Sequence, residues 1–382
     1  LCTGLASVSL PESLTSIGSG AFRGCSSLSG ILLPRNLDSI GFQAFDDCSA
    51  LTGITIPASV TSIVGTPFRN CGMLSSILVE SGNLNYADVD GVLFNGAQTD
   101  LIRCPEARIG AYAVPAHVTS VGRDAFFRCD GLTGITLQDG LTSIGDWAFA
   151  HCSGLTSLVV PSGITHIGNG VFSSCSGLSS LSIPDGVTSI GDSAFRFCSG
   201  LTSLSIPPLV THIGRDAFRG CSALVSTAVP DGITAINSGT FQDCGALTSV
   251  SLPSGLGSIG SHAFSGCSSL SSITLPDGIT DIYWGAFHNC SSITAIILPP
   301  AITEISDEVF SGCSLLSSIT IPPGVTSIRQ QAFSDCSALT SINIPTGLTY
   351  LGWEAFRGCS SLTSPITIPS GVTDLRWGTF QD

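Results

Sequence analysis

Apolar residues recur along this chain in a pattern that a helix cannot keep and that no single strand could fill. The stretch that begins at Cys175, CSGLSSLSIPDGVTSIGDSAFRF, is a clean copy of it. Counted from the cysteine, apolar side chains fall at +3, +6, +8, +12, +15, +19 and +20. Leu181 and Ile183 alternate across Ser182, which is strand periodicity. Pro184 cannot donate to a ladder, so it should end that strand. Asp185-Gly186 is turn chemistry, with the glycine free to take positive φ. Val187 and Ile190 predict a second short extended segment that Gly191 breaks. Ala194 and Phe195 then predict a tight turn or short 3₁₀ segment before Cys198.

The pattern repeats. Cys2, Cys25, Cys48 and Cys71 are spaced by 23 residues, as are the cysteines from Cys129 to Cys359. A 23-residue unit with seven inward columns cannot bury them alone, so neighbouring coils must stack. Strands of successive coils should pair in parallel at about 4.8 Å. About sixteen such coils would make a rod or shallow arc on the order of 75 Å long. Each Leu, Ile or Phe buried this way contributes about 1.5–3 kcal/mol.

The run L-x-x-L-x-I followed by V-x-x-I-G-x-x-A-F-x-x-C resembles the leucine-rich repeat of the BspA-like class, and the match covers nearly the whole chain. The resemblance implies a repeat solenoid of leucine-rich-repeat-type parallel β coils, elongated and right-handed, with short turns or 3₁₀ segments and 23 residues per coil. The asparagine that caps backbone in the common leucine-rich repeat is missing, and the Pro-x-Gly turn occupies its place. The array should divide into N-terminal repeats over residues 1–79, an irregular inserted segment over 80–112, and C-terminal repeats over 113–382. These are read as one continuous solenoid that begins and ends inside a repeat and so as a segment of a longer protein. Pro365 is a one-residue insertion in the last unit. In the inserted segment, Asp90-Gly91 between apolar residues is a hairpin signal. Two readings are open there: a strand pair filling one widened coil, or a protruding binding loop.

Hydrophobic content is 43%, yet no apolar run nears the roughly 18 residues of a membrane span. Net charge is −14, and all 13 basic residues are arginine without a basic stripe. Nucleic acid and anionic membrane surfaces are therefore not expected partners, and no membrane insertion is expected within this segment.

Sixteen cysteines raise the question of disulfides or metal. Stacking sets neighbouring Cβ atoms about 4.8 Å apart, wider than the roughly 3.8 Å of a disulfide. Core thiols are the expectation for the in-register set, with off-register Cys104 the more reactive. One cysteine per coil gives no tetrahedral convergence and no C-x-x-C occurs, so neither metal nor cofactor is expected. His117, His151, His166, His212, His262 and His288 read as solvent-facing spacers. Asp185, Asp231 and Asp277 repeat every 46 residues but read as turns, since a calcium roll would need G-G-x-G-x-D. Asn289-Cys290-Ser291 is a glycosylation sequon weakened by its central cysteine. No nucleophile elbow, phosphate loop or dinucleotide fingerprint is present, so no catalysis is expected.

The outward strand positions, +5 and +7, are mostly Ser, Gly and Thr and lack aromatic or Arg anchors. Size and charge vary instead around the A-F turn, which holds the four tryptophans and a recurring arginine at +21. The candidate partner-binding residues are Tyr283, Trp284, Tyr350, Trp353, Arg357, Arg376 and Trp377, with Trp353 and Trp377 expected roughly 5 Å apart as one ridge. The bland reading is that these rings shield the C-terminal coils. The resemblance implies a non-enzymatic scaffold for protein recognition or adhesion, at the cell surface or outside the cell, with a protein or cell-surface ligand as partner. A structural or linker subunit of a larger assembly is the alternative. Ice or carbohydrate binding through Ser/Thr ladders at +4 and +13 is a third.

Overall fold

A computed structural model describes residues 2–381, which fall into two compact units that divide between Pro184 and Asp185. Each unit is a stack of coils whose strands pair in parallel with partners 23 residues away. In the first unit Leu158 lies beside Leu181. In the second, Ala295–Ile297 pairs with Ser318–Thr320, and that strand with Ser341–Asn343. The strands are short because each is closed off by its own turn. Positions +5 to +7 form one, and Pro ends the run: Ser157–Val159 precedes Val160-Pro161. Positions +14 and +15 form the other, as in Ser189–Ile190, which pairs with His212–Ile213. No helix is assigned among the described residues, so the A-F segment is a turn. Each unit is a parallel β-solenoid of the leucine-rich-repeat kind.

The core is a set of columns. Leu at +3, Cys, and Phe at +20 are sealed, as Leu247, Cys244 and Phe264 show. The phenylalanines stack face on face. In the first unit Phe22, Phe45 and Phe68 form one run and Phe126, Phe149 and Phe172 another. In the second, the run from Phe195 to Phe380 keeps ring centroids 5.3–5.7 Å apart. A spacing wider than the coil rise, with near-parallel planes, is the offset stack that aromatic quadrupoles prefer.

Hydroxyls and thiols complete the backbone. Thr52 donates its side-chain hydroxyl to the Ser29 carbonyl and Ser75 to Thr52; Ser317 and Thr340 repeat this in the second unit. The +13 column does the same, with Thr142 to Thr119 and Thr349 to Thr326. Most in-register cysteines donate Sγ–H to the phenylalanine carbonyl 26 residues earlier, at 3.0 Å for Cys152 to Phe126 and 3.1 Å for Cys267 to Phe241, whereas Cys129, after the meander, donates to the carbonyls of Cys104 and Pro105. The phenylalanine carbonyl also closes its own turn by accepting the amide of its cysteine, as Phe126 does from Cys129. The cysteines are therefore hydrogen-bonded structural thiols as well as hydrophobes.

Two positions per coil, +18 and +22, hold left-handed backbone, and many are not glycine: Trp147 and His151, Ser193 and Phe197, Asp243, His262, Asn289, Glu308, Asp335. The alternation aims amides along the stack. Gly239, Phe241 and Asp243 donate to Ser261, Ala263 and Ser265 of the next coil. By contrast, Gly163, Gly232 and Gly371 in the Pro-x-Gly turns do not take positive φ. They serve a close approach instead. A Cβ on Gly163 would lie 2.6 Å from the Leu141 carbonyl oxygen, and one on Gly371 2.7 Å from that of Leu348. The turn is closed by an i to i+3 bond, Ile164 N–H to Pro161 C=O, and needs no left-handed residue.

The segment after Val79 breaks the pattern with an antiparallel meander. Tyr86–Val89 pairs with Val92–Asn95, which pairs with Asp100–Arg103. Asp90 and Gly91, at φ 51° and 76°, make the hairpin turn. Asp100–Arg103 then rejoins the parallel ladder beside Ser120–Val121. Val92, Leu93, Phe94 and Leu101 are fully buried, so this part fills a coil and does not protrude.

Candidate functional site

The A-F turn edge of the second unit carries the large amphipathic side chains. Its alternating left-handed turn packs Ala and Phe inward, which leaves +16 and +17 to point outward. Trp284, Trp353 and Trp377 occupy +17, once the insertion at Pro365 is counted, and are 49%, 52% and 69% exposed. Tyr283, beside Trp284, is also exposed, as is Arg357. Tyr350 is half-buried between two guanidinium groups, Arg376 at 4.7 Å and Arg329 at 5.2 Å from its ring centre. Arg329 in turn bonds Glu304 at 2.7 Å. The structure thus brings Tyr350 and Arg376 together and adds Arg329 and Glu304, which the sequence analysis did not single out. The signal was available: these residues alternate between +14 and +16 on successive coils. Trp353 and Trp377 sit on adjacent coils, with the Glu354 amide bonded to the Trp377 carbonyl, but no ring contact between them is found among the described residues.

Trp284 has a different neighbour. The His262 ring meets it edge-on at 4.3 Å, and His262 lies over Gly285, whose Cβ would stand 2.6 Å from the imidazole. Burial, helped by nearby His288, pushes the His262 pKa down, so the neutral ring is favoured. His288 lies 3.7 Å from the Glu308 carboxylate. These two histidines are half-buried parts of the turn edge, a correction to the solvent-facing reading that holds for His117, His166 and His212. The missed cue is their position at +18 and +21 beside the turn.

Several +21 arginines are tied into the chain. Arg23 pairs with Asp46 at 3.2 Å, Arg219 bridges Asp216 and Asp243, and Arg69 covers the Phe127 ring at 3.9 Å. Where the meander joins the stack in the first unit, Arg103 and Glu106 form a buried ion pair. Arg103 also donates to the carbonyls of Phe68 and Asp124, and Glu106 accepts the Asn70 amide at 2.8 Å. Burial raises the Glu106 pKa against the pull of Arg103.

All sixteen cysteines are free thiols, and only Cys2 is exposed. Cys104 is fully buried, which overturns its reading as the reactive thiol: it faces the core beside Cys129. Burial pushes Cys175, Cys221, Cys267 and Cys313 up to about 12, so they are poor nucleophiles at neutral pH. Among the described residues no group of three or more His, Cys, Asp or Glu side chains could hold a metal ion. Asn289 lies against Gly312 of the next coil with Cys290 sealed beneath, a packed setting for a sequon. No helix of the described chain is long and apolar enough to cross a membrane.

Comparison with known proteins agrees with this architecture. The family described as BspA type leucine rich repeat region (6 copies) matches residues 1–99, 104–225, 212–339 and 281–382. A leucine-rich repeat protein from Bacteroides ovatus is 29% identical with a TM-score of 0.65, over 99% of this chain and 91% of that one. A leucine rich cell surface protein from Faecalibacterium prausnitzii is 28% identical with a TM-score of 0.52, over 96% of this chain and 87% of that one. No curated protein matches. Solenoids of this family are generally scaffolds for binding protein and not enzymes. The register of cysteine, leucine and phenylalanine columns and the family match place the chain: it belongs to the BspA type leucine-rich repeat family.

Proposed function

We propose that this chain is a non-enzymatic scaffold that recognises a protein at a cell surface or outside the cell through the turn edge of its second unit. One observation carries the reading. The phenylalanine column is stacked out of solvent, while Trp284, Trp353 and Trp377 stand half or more exposed in the same turns. Such exposure leaves much of the largest side chains in water, outside the phenylalanine column. Trp, Tyr and Arg are the residues that most often anchor interfaces. Tyr283, Tyr350, Arg357 and Arg376 complete the surface, with Arg329 and Arg376 both set over the Tyr350 ring. A surface location has support from the cell surface designation of the Faecalibacterium prausnitzii protein.

The hydroxyl ladders favour this reading over ice or carbohydrate binding. Each bonded Ser or Thr spends its only donor on a backbone carbonyl, as Thr248 does on Val225, which leaves the ladder poor in donors for a ligand.

The test is W353S/W377S against wild type, over an immobilised panel of extracellular and cell-surface proteins. Binding to a panel member should fall about tenfold or more with the melting temperature unchanged. Loss of cooperative unfolding would mean that the rings pack the coils. Unchanged binding would move the site elsewhere. Antibody labelling of intact, unpermeabilised cells checks the location.

A further inference from the structure

His262 and Trp284 meet on the turn edge of the second unit. His262 takes left-handed backbone at φ 55°, and its amide donates to the Trp284 carbonyl of the next coil at 2.9 Å. Its imidazole lies along the stack, onto Gly285. A Cβ on Gly285 would stand 2.6 Å from both Cε1 and Nδ1 of the ring, so the glycine keeps this seat open. The Trp284 indole meets the seated ring edge-on at 4.3 Å. Other coils build the same kind of seat, with Trp147 on Gly170 and Phe197 on Gly220. Those rings carry no titratable nitrogen, and His262 does.

The seat suits the neutral ring. His262 Nδ1 is buried and has no hydrogen-bond partner. A neutral imidazole with its proton on Nε2 leaves only a lone pair there, whereas an imidazolium carries a proton on both nitrogens. Protonation in place would therefore set a charge and an unanswered donor against Gly285. The charged groups around the ring are mixed: His288 and Arg219 oppose a cation, and Glu308 and Asp243 favour one. Burial first, and then His288, outweigh the carboxylates and hold the His262 pKa below its ordinary value. The seated ring's contribution is whole above about pH 6.5 and is lost as pH falls through the lower folded value. His262 is half-buried at the edge of the stack, so a side-chain rotation reaches water without opening a coil.

We propose that His262 is an acid-operated latch on Trp284: protonation drives the imidazole off Gly285 into water and frees the indole. Trp284 belongs to the recognition surface proposed above, so any effect on a partner rests on that reading. The latch does not, and its test needs no partner.

The test uses the chain with Trp284 as its single tryptophan, W147F/W353F/W377F, and follows acrylamide quenching of its fluorescence between about pH 8 and about pH 5. Quenching should rise up to about twofold on acidification, because Trp284 starts half-exposed, with a midpoint below about pH 6.5 and unchanged far-UV circular dichroism. His262→Phe keeps a ring on Gly285 and should hold quenching low throughout. His262→Ala empties the seat and should hold it high throughout. His288→Gln should keep the transition and raise its midpoint. The proposal is overturned by a flat titration, by a transition that survives His262→Phe, by one that vanishes in His288→Gln, or by one that coincides with loss of the circular dichroism signal. A fall in emission with no rise in quenching would place the protonated ring still in its seat, and would overturn it too. If the triple variant does not fold, total tryptophan quenching of the unmodified chain is compared with that of His262→Phe: loss of the transition supports the latch, and its persistence overturns it.

Discussion

Glycine 170 should behave differently from glycine 20, although both stand at +18 with nearly the same backbone. Their φ angles are 60° and 64°. A Cβ on Gly20 would find only the Arg23 Cβ, at 3.8 Å. A Cβ on Gly170 would lie 2.3 Å from Trp147 Cε3, inside the ring's own volume. Gly20→Ala therefore carries only the left-handed penalty, about 1–2 kcal/mol. Gly170→Ala adds displacement of a half-buried indole, about 1–3 kcal/mol more. Replacing Trp147 by Ala should remove that second cost, because the obstructing ring is gone. Urea unfolding followed by far-UV circular dichroism, on wild type, Trp147→Ala, Gly170→Ala and the double variant, measures it. The coupling between the two sites should be about 1–3 kcal/mol, with the double variant more stable than the sum of the singles implies. The reasoning fails if Gly170→Ala costs the same in both backgrounds, or no more than Gly20→Ala.

Other expectations follow from the thiols, the rings and the meander. The raised pKa of the buried cysteines means that the fold prefers the neutral thiol. Their contribution is whole below the unfolded thiol's pKa of about 8.5 and is lost as pH rises toward 12, at up to about 1.4 kcal/mol per pH unit for each. Alkaline titration by circular dichroism should show unfolding in that window, displaced upward in Cys267→Ala. Native thiol titration should find Cys2 fast, with the remainder, Cys104 included, released only by denaturant; a fast-reacting Cys104 would contradict its burial. Phe264→Ala, between Phe241 and Phe287, should cost about 3–5 kcal/mol in urea unfolding. Hydrogen exchange should find the amides of Val92–Asn95 protected like their neighbours, and a freely exchanging hairpin would restore the binding-loop reading.

The chain's spacing alone determined the coil. A 23-residue register with apolar residues at set offsets admits only stacked parallel strands, because a lone coil has nowhere to hide Leu178, Phe195 and their like. Asp90-Gly91 announced its hairpin for an equally local reason, since that turn asks for two left-handed residues. The tertiary structure decided what depends on the next coil. No pattern at Trp147, Phe197 or Glu308 announces left-handed backbone, although the glycines and Asp/Asn residues sharing those columns were a legible hint. Stacking supplies the reason, because an amide aimed along the axis finds a carbonyl only when a neighbour is present. The same holds for the hydroxyl and thiol ladders, which do the backbone capping that the missing asparagine would do. Cys104 looked reactive because it is off-register; only the three-dimensional path of the meander sealed it. Tyr350 between two arginines is assembled from residues on successive coils. Sequence shows each coil separately, and a surface exists only once the coils are stacked.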